Sequence, residues 1–131
     1  MAVKWSFGYY GLTMEAKLKR LHSPNVYNLE DYQPDVQDKF GFLLQAMIGP
    51  AGEEGEESFD IEVCTPSWIE KRHGVDEVVI GLHCLIVREY NYQEIVKAIE
   101  KFLQGCSGKD WSEVSKKVSR LGLWEFEGYE E

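Results

Sequence analysis

Three cysteines, three histidines and a cluster of carboxylates are the side chains here with the chemistry for catalysis or metal binding. His83 and Cys84 are neighbours, and a thiol activated by an imidazole is a common nucleophile. Adjacent residues on a strand point to opposite faces, so these two do not serve each other. Cys64 reaches His83 only if two strands bring them together, which no sequence signal requires. The ordinary state of such a cysteine is a buried small hydrophobe. His22, His73 and His83 have no zinc-like spacing with one another or with Cys64, Cys84 and Cys106, so no metal is expected. No glycine pattern with phosphate-cradle spacing follows a strand, so no nucleotide cofactor is expected. Carboxylates crowd residues 53–62 (EEGEESFDIE), but catalytic acids need fixed positions and perturbed pKa values, and this stretch reads as a mobile, solvated loop. The chain is not expected to be an enzyme, and a cysteine-dependent hydrolase using Cys64 or Cys84 is the alternative.

The placement of the negative charge is more informative. The formal charge is -9, and two short segments account for all of it. Glu53, Glu54, Glu56, Glu57, Asp60 and Glu62 lie in the first, and Glu125 and Glu127 begin the second, residues 125–131 (EFEGYEE). Neither segment contains Lys or Arg, and the rest of the chain is close to neutral. Concentrated charge speeds and orients encounter with a basic partner. It also repels phosphates, which argues against nucleic acid. These eight carboxylates are the candidate contacts with a cationic macromolecule, set against a plain solvated loop and a frayed tail.

At 131 residues the chain is expected to be a single domain able to bury its own core. Its 44% apolar content excludes a disordered chain. No run approaches the roughly 18 apolar residues that suggest a membrane span. The N-terminus lacks the apolar stretch of a signal peptide. The odd, scattered cysteines suit reduced thiols of a cytoplasmic protein.

The elements that must position these residues come as strands first and helices second. Residues 14–21 alternate loosely and suggest an edge strand, with a connection of at most one helical turn, around Leu29–Tyr32, running to Pro34. Residues 39–48 suggest a second strand ended by Gly49-Pro50. Ser58–Cys64 alternates cleanly and forms a long hairpin with it across the acidic loop. Thr65-Pro66 starts a short helix stopped at Gly74. Residues 78–88 are apolar on both faces, which suggests a central strand or one extended into a subunit contact. Two helices follow, each opened by a capping residue with Glu three positions later: Asn91 with Glu94, and Asp110 with Glu113. Their apolar stripes are Ile95, Val96, Ile99, Phe102 and Leu103, then Trp111, Val114, Val118 and Leu121, with Ser115 outside. The expected fold is α+β, an antiparallel sheet with helices packed mainly on one face as a two-layer sandwich.

The closing Trp124-Glu125-Phe126-Glu127-Gly128-Tyr129 alternates aromatic with acid. Its aromatics are expected to pack on the sheet and its carboxylates to face solvent, a pairing suited to a basic surface.

At these residues the chain resembles a known family. Gly55-Glu56-Glu57-Ser58-Phe59-Asp60, then Val63-Cys64-Thr65-Pro66-Ser67-Trp68, the strand His83–Val87 leading to Tyr90-Asn91-Tyr92, and Leu121-Gly122-Leu123-Trp124-Glu125-Phe126-Glu127 look like the Immunity protein 8 family of bacterial polymorphic toxin systems. Leu18-Lys19-Arg20-Leu21-His22-Ser23-Pro24 and Met47-Ile48-Gly49-Pro50 are similar to it as well. The likeness covers about residues 14–129, and residues 1–13 depart from it as an N-terminal extension. It implies a non-enzymatic antitoxin without cofactors, which protects the producing cell by binding a cognate toxin domain, often a basic nuclease, and occluding its active surface. The further alternative is a homodimeric regulatory or structural protein built on residues 78–88. A toxin-like gene immediately upstream would separate these readings.

Overall fold

The computed structural model describes residues 13–127; residues 1–12 of the N-terminal extension and residues 128–131 lie outside them, including Tyr129, Glu130 and Glu131. Strand β1 (Ala16–His22) pairs antiparallel with β2 (Gly41–Pro50), which pairs antiparallel with β3 (Glu57–Cys64). β1 is an edge strand, as its alternation suggests, and Lys17, Arg20 and His22 are exposed on it. A bulge between Leu18 and Arg20 resets its register, so that Leu18 and Leu21 both pack against the core. The connection behind it makes a turn at 29–31, and Tyr32 then joins Phe40, Phe42 and Tyr90 in an aromatic cluster.

The β2–β3 hairpin carries the acidic loop, and its shape depends on Gly49. A Cβ at that position would lie 2.0 Å from the Gly55 carbonyl oxygen, a backbone atom that cannot step aside. The loop is also tethered to β1, where Lys19 Nζ donates to the Glu53 carbonyl and Arg20 Nε pairs with Glu56 Oε2 at 2.7 Å.

Phe59, Ile61 and Val63 of β3 face inward, with Phe42, Leu44, Ala46 and Ile48 of β2 beside them. Two helices close over this face. Helix α2 (Tyr92–Leu103) begins where Asn91 Oδ1 accepts from the Glu94 amide at 3.1 Å, and it buries Ile95, Ile99 and Leu103. Phe102 of its expected stripe stays 39% exposed. Helix α3 (Trp111–Val118) begins where Asp110 Oδ1 accepts from the Glu113 amide at 2.9 Å. It buries Val114 and Val118, and also Ser115, which was expected outside; the Ser115 hydroxyl is satisfied by the Ser112 carbonyl. On the opposite face the short helix that follows β3, α1 (Pro66–His73), sets its Trp68 ring against Gly41. Thr65 caps α1 by accepting from the Trp68 amide, and it also accepts from the Phe40 amide, so this buried hydroxyl pins the start of α1 to β2.

The fold is α+β, with two corrections to its sheet. The sheet is mixed, because β4 runs parallel to β3 after the α1 crossover. And β4 is Cys84–Ile86 only, a short edge strand where a central one was expected over 78–88. The register gives the reason. Glu62 pairs with Cys84, so Leu82 and Ile80 of a longer parallel strand would lie beside Asp60 and Ser58. That part of the β3 edge is taken by β5 (Leu123–Trp124), which pairs Phe59 with Trp124 and Asp60 with Leu123.

Candidate functional site

Alternation along β3 puts Ser58, Asp60, Glu62 and Cys64 on the face away from α2 and α3. Asp60 and Glu62 are half-buried there, with Gln45 and Leu43 of β2 opposite them in register. Asp60 Oδ1 accepts from Gln45 Nε2 at 3.4 Å. The acidic loop borders one end of this stripe. The other end, at Cys64, is about 20 Å from Ser58 at strand rise.

The eight candidate carboxylates divide by what they already hold. Glu53 and Glu54 are exposed at the loop tip, and Glu127 is exposed near the chain end. Glu56 is half-buried against Arg20. Glu57 Oε1 accepts two indole N–H groups, from Trp111 and Trp124, each at 2.8 Å, and so bridges α3, β3 and β5. Glu125 Oε1 accepts from the Ser58 amide at 2.6 Å, and its own amide donates to the Ser58 carbonyl, extending the β5 pairing by one residue. Glu62 Oε1 lies 3.8 Å from Cys84 Sγ. Trp124 packs on the sheet as expected, with its ring stacked on Phe59, but residues 125–127 form a turn and Phe126, edge-on to Trp124, is exposed.

Cys64 and Cys84 meet each other rather than His83. A parallel pair in register at Glu62 and Cys84 turns Glu62, Cys64 and Cys84 to one face, and their ligand atoms lie within 4.8 Å of one another. The His83 ring goes instead to the Ser119 carbonyl, Nε2 to oxygen 2.8 Å. Burial, and then the neighbouring Cys84 and Glu62, push the Cys64 thiol up to about 12. Burial and Glu62 raise the Cys84 thiol as well. Both shifts run opposite to what an activated thiolate needs.

The segment before β4 is where the sequence reading fell short. Val75, Val78, Ile80 and Leu82 are exposed by 79%, 92%, 88% and 69% in turn, and Ile86 on β4 is also exposed. Exposed apolar side chains this dense within one segment make it a candidate contact surface. The β-branched run suggested a strand, and its exposure follows from the tail taking the β3 edge, a competition 40 residues apart in sequence. A further open cleft near α1 is lined by Asp35, Lys39, Trp68, Lys71 and Arg72, so the acidic surface has a basic counterpart around Trp68.

No described helix is long and apolar enough to cross a membrane. The chain matches no curated protein and no solved structure. The family model described as Immunity protein 8 matches residues 16–129, from the first residue of β1 to beyond β5. Nearly the whole chain is thereby covered, and this protein belongs to the Immunity protein 8 family, a family of immunity proteins.

Proposed function

We propose that this immunity protein neutralises a basic toxin domain, most consistently a nuclease, by seating it across the open side of β3. The observation that supports this most is the layout of that side. Exposed Glu53 and Glu54 lie at one end, Asp60 and Glu62 in the middle, and exposed Val78, Ile80 and Leu82 lie in the segment that leads into β4, whose Cys84 pairs with Glu62. Apolar anchors within a charged surround match how protein interfaces divide their work, the anchors slowing release and the charges speeding encounter. A span of about 20 Å fits within the roughly 800 Å² per partner of a standard interface. On this reading Glu53, Glu54, Asp60 and Glu127 meet the toxin. Glu56 contributes through its Arg20 pair, while Glu57 and Glu125 shape the surface from within.

The raised thiols of Cys64 and Cys84 favour this binding role over the cysteine hydrolase. The exposed 75–82 segment also supports a second reading, a homodimer through that surface. One experiment separates them. Sedimentation of the protein alone and mixed with its cognate toxin domain is expected to give a monomer that forms a one-to-one complex. A stable dimer that ignores the toxin, and is dissolved by Val78→Ser with Ile80→Ser, would favour the homodimer.

A further inference from the structure

We propose that Glu62, Cys64 and Cys84 form a binding site for a zinc-class divalent cation. Adjacent strands supply the three side chains, with Glu62 and Cys64 two apart on β3 and Cys84 in register with Glu62 on β4. The spacing suits the ion. A zinc–sulfur bond of about 2.3 Å and a zinc–oxygen bond of about 2.0 Å set tetrahedral ligand separations of about 3.5–3.8 Å. Cys84 Sγ and Glu62 Oε1 are 3.8 Å apart, and all three ligand atoms lie within 4.8 Å, so small side-chain rotations close the set. Two sulfurs and one carboxylate select a borderline-soft ion over Mg²⁺ or Ca²⁺.

The surroundings agree. The ion pairs of the described residues are Arg20–Glu56, His73–Glu77 and Lys97–Glu94, and none of them neutralises Glu62. Cys64 is fully buried at the back of the group, while Glu62 and Cys84 are half-buried at its mouth, which leaves a fourth position toward solvent. The chain enters β4 through His83 at φ 58°, a positive value uncommon outside glycine, and the His83 carbonyl accepts from the Glu62 amide at 2.9 Å. A constrained entry of this kind fixes Cys84 beside β3. Binding displaces the thiol protons to solvent, giving two thiolates and a carboxylate around the cation.

The full-length reduced chain, titrated with Co²⁺ alone, is expected to bind one ion and show a thiolate-to-cobalt charge-transfer absorption that one equivalent of Zn²⁺ removes. Cys84→Ser is expected to abolish that absorption, and Cys106→Ser, which alters a thiol buried elsewhere in the core, to leave it intact. Glu62→Gln is expected to weaken cobalt binding by more than the roughly 10- to 100-fold typical of losing an outer-shell partner. Alkylation of Cys84 in the unsubstituted chain gives a reading free of folding effects, and Zn²⁺ is expected to slow it in proportion to occupancy. The assignment is overturned if the parent chain shows no charge-transfer absorption. An absorption that survives Cys84→Ser, or Cys84 alkylation at the same rate with and without Zn²⁺, overturns it equally.

Discussion

Trp111 and Trp124 donate their indole N–H groups to the same atom, Glu57 Oε1, each at 2.8 Å. One half-buried carboxylate thereby ties the start of α3 and the terminal strand to the first residue of β3. It makes the tail part of the fold, and it removes Glu57 from the acidic surface in functional terms.

Glu57→Ala leaves two indole donors without their acceptor. Bonds to a charged group contribute about 1.5–3 kcal/mol each and are not additive, so a loss of about 2–4 kcal/mol is expected. Glu54→Ala, at an exposed loop position, is expected to stay within about 0.5 kcal/mol. Urea denaturation of the two variants compares them directly, and equal midpoints would mean the bracket contributes nothing.

Removing residues 124–131 strips the Trp124 ring from Phe59 and vacates part of the β3 edge. The expected loss is about 3–5 kcal/mol, the scale of deleting a large aromatic from a core. A melting temperature equal to the parent's would show the tail to be a free arm.

Tyr90 donates its hydroxyl to the Leu29 carbonyl within the aromatic cluster. Burial, and then the neighbouring Tyr92 and Tyr32, push its phenol up to about 12 from the usual 10.0. The unfolded chain therefore ionises Tyr90 first as pH rises. The stabilisation is fully present below pH 10 and is lost between pH 10 and 12. Tyr90→Phe is expected to cost about 1 kcal/mol at neutral pH through the lost hydrogen bond. It is also expected to flatten the fall in stability across that alkaline window, which denaturant midpoints at stepped pH would reveal. An unchanged alkaline slope would contradict the assignment.

Much of this could be read from the sequence, and the misses share a cause. The caps at Thr65, Asn91 and Asp110 act within three residues of themselves, so local pattern revealed them. The alternation of Phe59, Ile61 and Val63 revealed the buried face of β3 in the same way. Residues 78–82 have every local mark of a strand, and only the arrival of β5 at Phe59 and Asp60 denies them a partner. The role of Glu57 depends on two tryptophans 54 and 67 residues away, and that of Cys64 on a parallel register 20 residues on. Long-range pairing is what neither spacing nor composition encodes.

The exposed apolar segment separates stability from binding. Val78→Ser with Ile80→Ser removes side chains that touch little of the core, so stability is expected to change by less than about 0.5 kcal/mol per site. Affinity for the toxin domain is expected to fall at least tenfold, mainly through faster dissociation, since anchors act on release. Calorimetric titration against the cognate toxin domain checks it, and unchanged affinity would place the contact elsewhere.

The central claim is that acidic side chains on one side of β3 steer a basic toxin onto it. The most direct test is the association rate of the parent protein with its toxin domain at two ionic strengths, beside Glu53→Gln with Glu54→Gln. The account predicts a parent rate that falls steeply with salt, and a variant with a slower, less salt-sensitive on-rate and a nearly unchanged off-rate. An association rate for the parent that is independent of salt would contradict it.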